Sequence, residues 1–274
     1  MDCYGAFARV YDELMDETPY GKWRDRITAI IEEYGVSKPA RGLNSDDALS
    51  SEKNLVLDLG CGTGSFTKLM YDAGFDMIGL DSSEGMLELA IEKRDEAGDE
   101  ILYLNQDMRR LDLYSTVGTV VSVCDSINYI TEPSELLDVF KLVNKFLFPG
   151  GLFIFDFNTE YKYRVINGDS TFAENREDVS FIWENFYDEE TGLNEFDLTL
   201  FIKDENGVKA EDDRFIKYEE THIQRGYTVS EIEELIGKAG LKLISMTDAD
   251  TDGDVREISE RILVVAKEVM KDEA

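Results

Sequence analysis

Ten residues constrain this fold more than any others: Leu55-Val56-Leu57-Asp58-Leu59-Gly60-Cys61-Gly62-Thr63-Gly64. A short apolar run meets an aspartate and then glycines at alternate positions. The run reads as a buried parallel strand, and the glycines as a tight turn into a helix starting near Ser65. Lacking Cβ atoms, such a turn lets the backbone approach a ligand and accepts positive φ. Open α/β sheets bind ligands at the carboxyl ends of central strands. The turn after residue 59 is therefore the expected binding crevice.

A pyrophosphate-binding turn follows the spacing G-x-G-x-x-G. Here the third glycine comes one residue early, and Ser65 stands at the dinucleotide position. The carboxylate of Asp58 is a poor neighbour for a pyrophosphate and suits a ligand that carries an ammonium group. The stretch resembles motif I of the class I S-adenosylmethionine (SAM) methyltransferases, in the form D-x-G-x-G-x-G. That resemblance implies a Rossmann-like seven-stranded sheet and SAM as cofactor. Asp58, Gly60, Cys61, Gly62 and Gly64 would then cradle its methionine portion.

The following segments extend the resemblance. Residues 75–80 read as a second strand ending in Asp81, 21 residues after Gly60, where an acid can take both ribose hydroxyls. Ser82 or Ser83 is the natural cap of the next helix, 84–97, whose apolar side is Met86, Leu87, Leu89, Ala90 and Ile91. After a third strand, 101–104, the family pattern sets Asp107 on the adenine amino group and the Met108 N–H on the ring. It also puts Ser82, Met86 and Cys124 beside the cofactor. A β-branched strand, 117–123, ends at Cys124-Asp125-Ser126-Ile127-Asn128-Tyr129, the point that faces sulfonium and acceptor in the family. DNA-adenine methyltransferases carry Asp/Asn-Pro-Pro-Tyr or Phe there. This chain has no proline, so base flipping is not supported. It resembles instead bacterial small-molecule or unassigned methyltransferases close to the aminosugar N-methyltransferases. Asp125 and Tyr129 are candidates for the acceptor rim, with capping and core roles as alternatives.

The N-terminal segment carries Tyr4, Phe7, Tyr11, Tyr20, Trp23 and Tyr34. Trp23, Ile27, Ile30, Ile31 and Tyr34 recur at helical spacing and should pack on the domain. Residues 4–12 resemble the N-terminal helical lid of small-molecule methyltransferases. By that resemblance Tyr20 and Trp23 approach the methionine end of SAM, where aromatic faces suit a sulfonium, and Tyr11 borders the acceptor. Residues 36–53, with Pro39, Gly42, Asp46 and Asp47, read as a surface connection.

A helix over 134–147 stops at Pro149-Gly150-Gly151. The fifth strand, 152–155, leads to Asp156 and Asn158, on the ligand side and hence acceptor candidates. The pattern then changes. Residues 180–187, 194–203 and about 213–224 alternate like antiparallel strands, with turns at 189–192 and 205–207. Segment 159–226 therefore reads as an inserted antiparallel sheet, and the resemblance implies that it forms a β lid over the acceptor site. The core comprises 1–158 and 227–274, closing with a helix 229–239 and strands 241–246 and 261–267. The expected class is α/β: a Rossmann-like methyltransferase sheet of seven strands with a small inserted antiparallel sheet. His222, the sole histidine, is either a base or a structural hydrogen-bonder. Arg225 is placed to hold an acceptor carboxylate.

The formal net charge of −31 disfavours polyanionic partners, and no basic run exists. No DNA partner is expected, and RNA modification is disfavoured. Cys3, Cys61, Cys124 and His222 are too few and too scattered for a zinc or iron–sulfur set. No metal is expected, and the absence of a disulfide framework fits a reducing cytoplasm. The first residues lack the pattern of a secretory signal, and no apolar run reaches membrane-spanning length. Asp248-Ala249-Asp250-Thr251-Asp252-Gly253 imitates half of a calcium loop. Its twelfth position is Ser259 instead of glutamate, so a solvated acidic loop is expected. The reading is a cytosolic SAM-dependent methyltransferase acting on a small molecule, with an amine as the suggested acceptor. An RNA-modifying enzyme and a SAM-binding protein without turnover are the alternatives. Composition is silent on oligomeric state.

Overall fold

The computed structural model describes residues 6–39, 52–204 and 214–271. The features expected at Cys3, Tyr4, Asp46, Asp47 and the turn 205–207 lie outside the described residues.

Two N-terminal helices, α1 (Phe7–Leu14) and α2 (Tyr20–Tyr34), precede the sheet. Strands β1 (Leu55–Leu59), β2 (Asp76–Asp81), β3 (Leu102–Asn105) and β4 (Val117–Ser122) alternate with helices α3 (Ser65–Asp72) and α4 (Glu84–Ala97). Helix α5 (Pro133–Phe146) leads to β5 (Leu147–Asn158). After the second sheet come α6 (Val229–Lys238), β10 (Leu241–Asp248) and β11 (Arg261–Glu268). The large sheet has the order β10-β11-β5-β4-β1-β2-β3. Pairing is parallel from β5 to β3, and β11 is antiparallel to both β5 and β10. Strands β2 and β3 lie on one side of β1 and β4 and β5 on the other, so the chain crosses over between β3 and β4. That reversal opens a crevice at the carboxyl ends of β1 and β4.

Burial explains the elements. Val56 to Leu59 and the whole of β4 are buried, as continuous apolar strands of a covered parallel sheet must be. Leu136, Val139, Phe140 and Val143 form the buried stripe of α5 on one face, against Phe153 and Phe155 of β5. On α4 the buried residues are Met86, Leu87 and Ala90, while Ile91 is exposed. On α2, Ile27 and Ile31 are buried and Tyr34 is exposed.

Two expectations are corrected. Helix α5 ends at Phe146, and β5 begins at once and runs for 12 residues through Pro149-Gly150-Gly151. Proline and glycine here mark an irregular pairing with β4, with a register shift between Val117 and Thr119, and do not end an element. The second sheet has four strands instead of three: β6 (Thr171–Asn175), β7 (Val179–Asp188), β8 (Leu193–Lys203) and β9 (Phe215–Arg225), antiparallel throughout. All five β6 residues are exposed, so no alternation announced it. The acidic loop after β10 is solvated as expected, with Asp250 and Asp252 exposed, and it turns around one buried side chain. Asp248 accepts hydrogen bonds from the N–H groups of Asp250 and Thr251 and from the hydroxyls of Thr251 and Ser259. Among the described residues no cluster of His, Cys, Asp and Glu could hold a metal ion, and no helix is long and apolar enough to cross a membrane.

Candidate active site

A cavity of about 420 Å³ opens beside the turn that follows β1. Gly60, Gly62 and Gly64 all have positive φ, at 82°, 54° and 75°. A Cβ on Gly60 would lie 2.7 Å from the Ser126 side chain, so the turn is as close to the end of β4 as glycine allows. Gly60 and Cys61 donate their N–H groups to the Leu80 carbonyl. The Gly62 N–H donates to Asp81 Oδ2 at 2.8 Å, and the Ser83 N–H to Asp81 Oδ1 at 2.8 Å. Asp81 thus ties the turn to the start of α4, whose cap is the Ser83 hydroxyl. Burial pushes the Asp81 carboxyl up, against the pull of these amides.

Asp58 also borders the cavity. The Thr67 hydroxyl donates to its Oδ2 at 2.5 Å. Its Oδ1 is buried with no hydrogen-bond partner among the described residues. Burial pushes the carboxyl up to about 7, with the nearby Asp81 adding to the effect. A buried oxygen left open on a cavity wall calls for a donor from a ligand. An ammonium group would satisfy it and favour the ionised form.

Ser82, Met86, Asp107 and Met108 also line the cavity. Asp107 is held below the usual carboxylate range, chiefly by the Arg109 guanidinium, to which it is bidentate. Tyr11, Tyr20, Cys124 and Tyr129 belong to the same lining. Burial pushes the Cys124 thiol up to about 12, so it stays neutral and donates to the Tyr20 oxygen at 3.5 Å. Cys124 and Asp125 both adopt left-handed backbone, φ 60° and 52°. Such strain in non-glycine residues concentrates at functional sites.

Helix α1 reaches the cavity through Tyr11. Asp12 accepts from the Thr63 hydroxyl at 2.6 Å, from the Ser65 hydroxyl at 2.9 Å and from Lys93 of α4 at 2.7 Å. Its other side packs Phe7 and Val10 on Val179, Phe196, Leu198 and Leu200 of the four-stranded sheet. The helix therefore lies between the glycine turn and the second sheet.

Several expected site residues fall elsewhere. Trp23 is outside the cavity wall, beneath the Arg261 guanidinium at 5.4 Å and edge-on to Tyr20. Gly64 is also off the wall, and a Cβ there would meet the Tyr103 hydroxyl. Asp125 and Asp156 share Arg261, which donates to Asp125 Oδ1 at 2.9 Å and Asp156 Oδ2 at 3.0 Å. Gln224 donates to the remaining Asp125 oxygen. Asn158 is buried, bonded to Asn128, Tyr163 and Lys162. Arg225 lies at the foot of the second sheet, on the Thr191 carbonyl and Glu231. His222 is buried behind Tyr129, whose hydroxyl is 3.2 Å from its Nδ1. Sequence reasoning missed Asp12, Asn128 and Arg261 as organisers of this region. None carries a local signal, since each acts through residues 30 or more positions away.

The open Asp58 oxygen, the glycine cradle and the Asp81 carboxylate fit an ammonium-bearing nucleoside such as SAM. Comparison with known proteins agrees. A model of the methyltransferase domain matches residues 56–151. YqeM of Bacillus subtilis, named as a methyltransferase with no acceptor stated, is 34% identical over 265 residues, covering 96% of each chain. The chain belongs to the class I SAM-dependent methyltransferases. Among solved structures, a SAM-dependent methyltransferase from Clostridium acetobutylicum is 27% identical with TM-score 0.80, covering 97% of this methyltransferase and 99% of that chain. The sugar N-methyltransferase KedS8 from Streptoalloteichus shares the fold at TM-score 0.69 and 16% identity, covering 93% and 92%. The methyltransferase accordingly uses SAM, which supplies an electrophilic methyl group on a sulfonium.

Proposed function

We propose that this enzyme methylates an amine nitrogen on a small molecule, in the cytoplasm, and that segment 159–226 is the lid of its acceptor site. In this reading Asp58 and the turn from Gly60 to Gly62 hold the methionine portion of SAM, Asp81 its ribose and Asp107 with Met108 its adenine. Tyr11, Tyr20 and Tyr129 bound the acceptor.

The observation that carries the proposal is the double closure over Tyr11. Helix α1 is bonded to the glycine turn on one side and packed on the second sheet on the other. A pocket roofed in this way suits a compact acceptor and keeps water from the reacting atoms. The phenol and thiol groups at its inner end are neutral, since burial raises Tyr11, Tyr20 and Cys124 alike. Neutral walls favour an uncharged nucleophile over a phosphate or a carboxylate. The fold neighbour KedS8, a sugar N-methyltransferase, is compatible with this class. Rate then comes mainly from holding donor and acceptor in line.

The test is transfer of labelled methyl from SAM to a panel of amino sugars and simple primary and secondary amines, with total RNA alongside. Label in amines supports the proposal. Label in RNA alone overturns it, as does SAM binding by calorimetry with no transfer to any compound or cell extract.

A further inference from the structure

Behind Tyr129 lies a chain of polar groups that cofactor binding does not use. The Tyr129 hydroxyl is 3.2 Å from His222 Nδ1. His222 Nε2 is 3.5 Å from Glu220 Oε2. The second Glu220 oxygen accepts the N–H groups of Ala6 and Phe7, at 2.9 and 3.0 Å. The imidazole is 1% exposed, stacked on Phe196 at 4.7 Å with 6° between planes, and Phe7 stands edge-on to it. One rotamer is thereby enforced, with one ring nitrogen toward a cavity residue and the other toward a carboxylate. The other acids near this end are engaged: Asp125 and Asp156 by Arg261, and Asp125 also by Gln224.

Resting on the acceptor reading above, we propose that Tyr129, His222 and Glu220 form a proton relay that takes the acceptor's proton during methyl transfer, and that α1 completes it. As the acceptor lone pair bonds to the methyl carbon, the carbon–sulfur pair stays on sulfur. The acceptor proton passes to the Tyr129 oxygen while the tyrosine proton moves to His222 Nδ1. Glu220 then balances the imidazolium. Tyr129 is the group that meets the acceptor. His222 and Glu220 are positioning residues that act through it. Because the first amides of α1 hold Glu220, the relay is assembled only with α1 in place, which couples proton removal to closure of the site.

The chain has a single histidine, so nitrogen-15 histidine labelling of the full-length protein gives one imidazole, whose Nδ1 and Nε2 signals are told apart by their couplings to the ring protons. The relay requires a neutral ring with Nε2 protonated and Nδ1 accepting, and Tyr129→Phe should shift the Nδ1 resonance. A ring protonated at Nδ1 overturns the proposal. On any amine that accepts label, Tyr129→Phe and Glu220→Gln should each lower kcat by about 100-fold with KM for SAM within about twofold. Gln retains the oxygen that caps α1, so Glu220→Gln separates the charge from the cap. Full kcat in a folded Tyr129→Phe protein overturns the relay. If no amine accepts label, the acceptor reading fails, and the imidazole signal decides the relay by itself.

Discussion

The Asp12 carboxylate accepts a 2.6 Å hydrogen bond from the Thr63 hydroxyl, joining the N-terminal helix to the glycine turn. Burial alone would raise this carboxyl, but hydrogen bonds from Lys93, Thr63 and Ser65 hold it below the usual range. A depressed acid stabilises this docking of α1 at neutral pH, and that contribution disappears as pH falls below about 4 and through the folded value. Asp12→Ala should speed SAM dissociation by about 5- to 10-fold, as expected for lost charge-assisted hydrogen bonds. Asp12→Asn, which keeps an acceptor for Thr63, should show a smaller effect. Stopped-flow displacement of SAM measures both, and equal rates in wild type and Asp12→Ala would remove the latch.

Asp58 works with the opposite sign. Its carboxyl is raised to about 7, so the native protein holds a proton that the unfolded chain has released. Apo stability should therefore fall as pH climbs from about 4 to above 7. Asp58→Asn should remove that slope and stabilise the apo protein by about 1–3 kcal/mol above pH 8, read from thermal unfolding across pH. The ammonium of SAM should ionise Asp58, releasing about half a proton at pH 7. Calorimetry in buffers of different ionisation enthalpy measures this release, which Asp58→Asn should abolish together with much of the affinity.

Asp81 serves both the turn and the ribose in our reading. Asp81→Ala should weaken SAM binding by about 1–3 kcal/mol through lost charged hydrogen bonds. It also frees the Gly62 and Ser83 amides. Unchanged affinity in calorimetry would contradict the ribose assignment.

Arg261 is the one cation bridging Asp125 and Asp156 among the described residues, and it is 14% exposed. Arg261→Met would leave two facing carboxylates in a buried place and should cost about 3–5 kcal/mol in urea unfolding. Adding Asp156→Asn should recover part of that loss. Full stability of the single variant would show that the cluster is solvated.

Much of the architecture was legible because its signals are short-ranged. The apolar run into Gly60, the acid ending β2 and the acid after β3 each announce themselves within a few residues, and all border one cavity. The alternation of Phe196, Leu198 and Leu200 exposed the second sheet, with those three residues buried on its inner face. Tyr20 borders the cavity and Trp23 does not. Helical spacing gives the face shared with Tyr20, but not which of the two reaches the cavity and which packs under Arg261. Asn158 and Arg225 looked like ligand groups because polar residues at strand ends often are. Their side chains are engaged within the protein, Asn158 by Tyr163 and Lys162 and Arg225 by the Thr191 carbonyl and Glu231.

Local pattern thus determined the sheet, the glycine turn and the acids around it, since backbone preference and burial period act over a few residues. Which side chains meet across the roof was decided by tertiary structure alone. Asp12 finds Thr63 across 51 positions, Tyr129 finds His222 across 93, and Arg261 finds Asp125 across 136. Those pairings depend on how completed elements pack, and no stretch of the chain encodes them by itself.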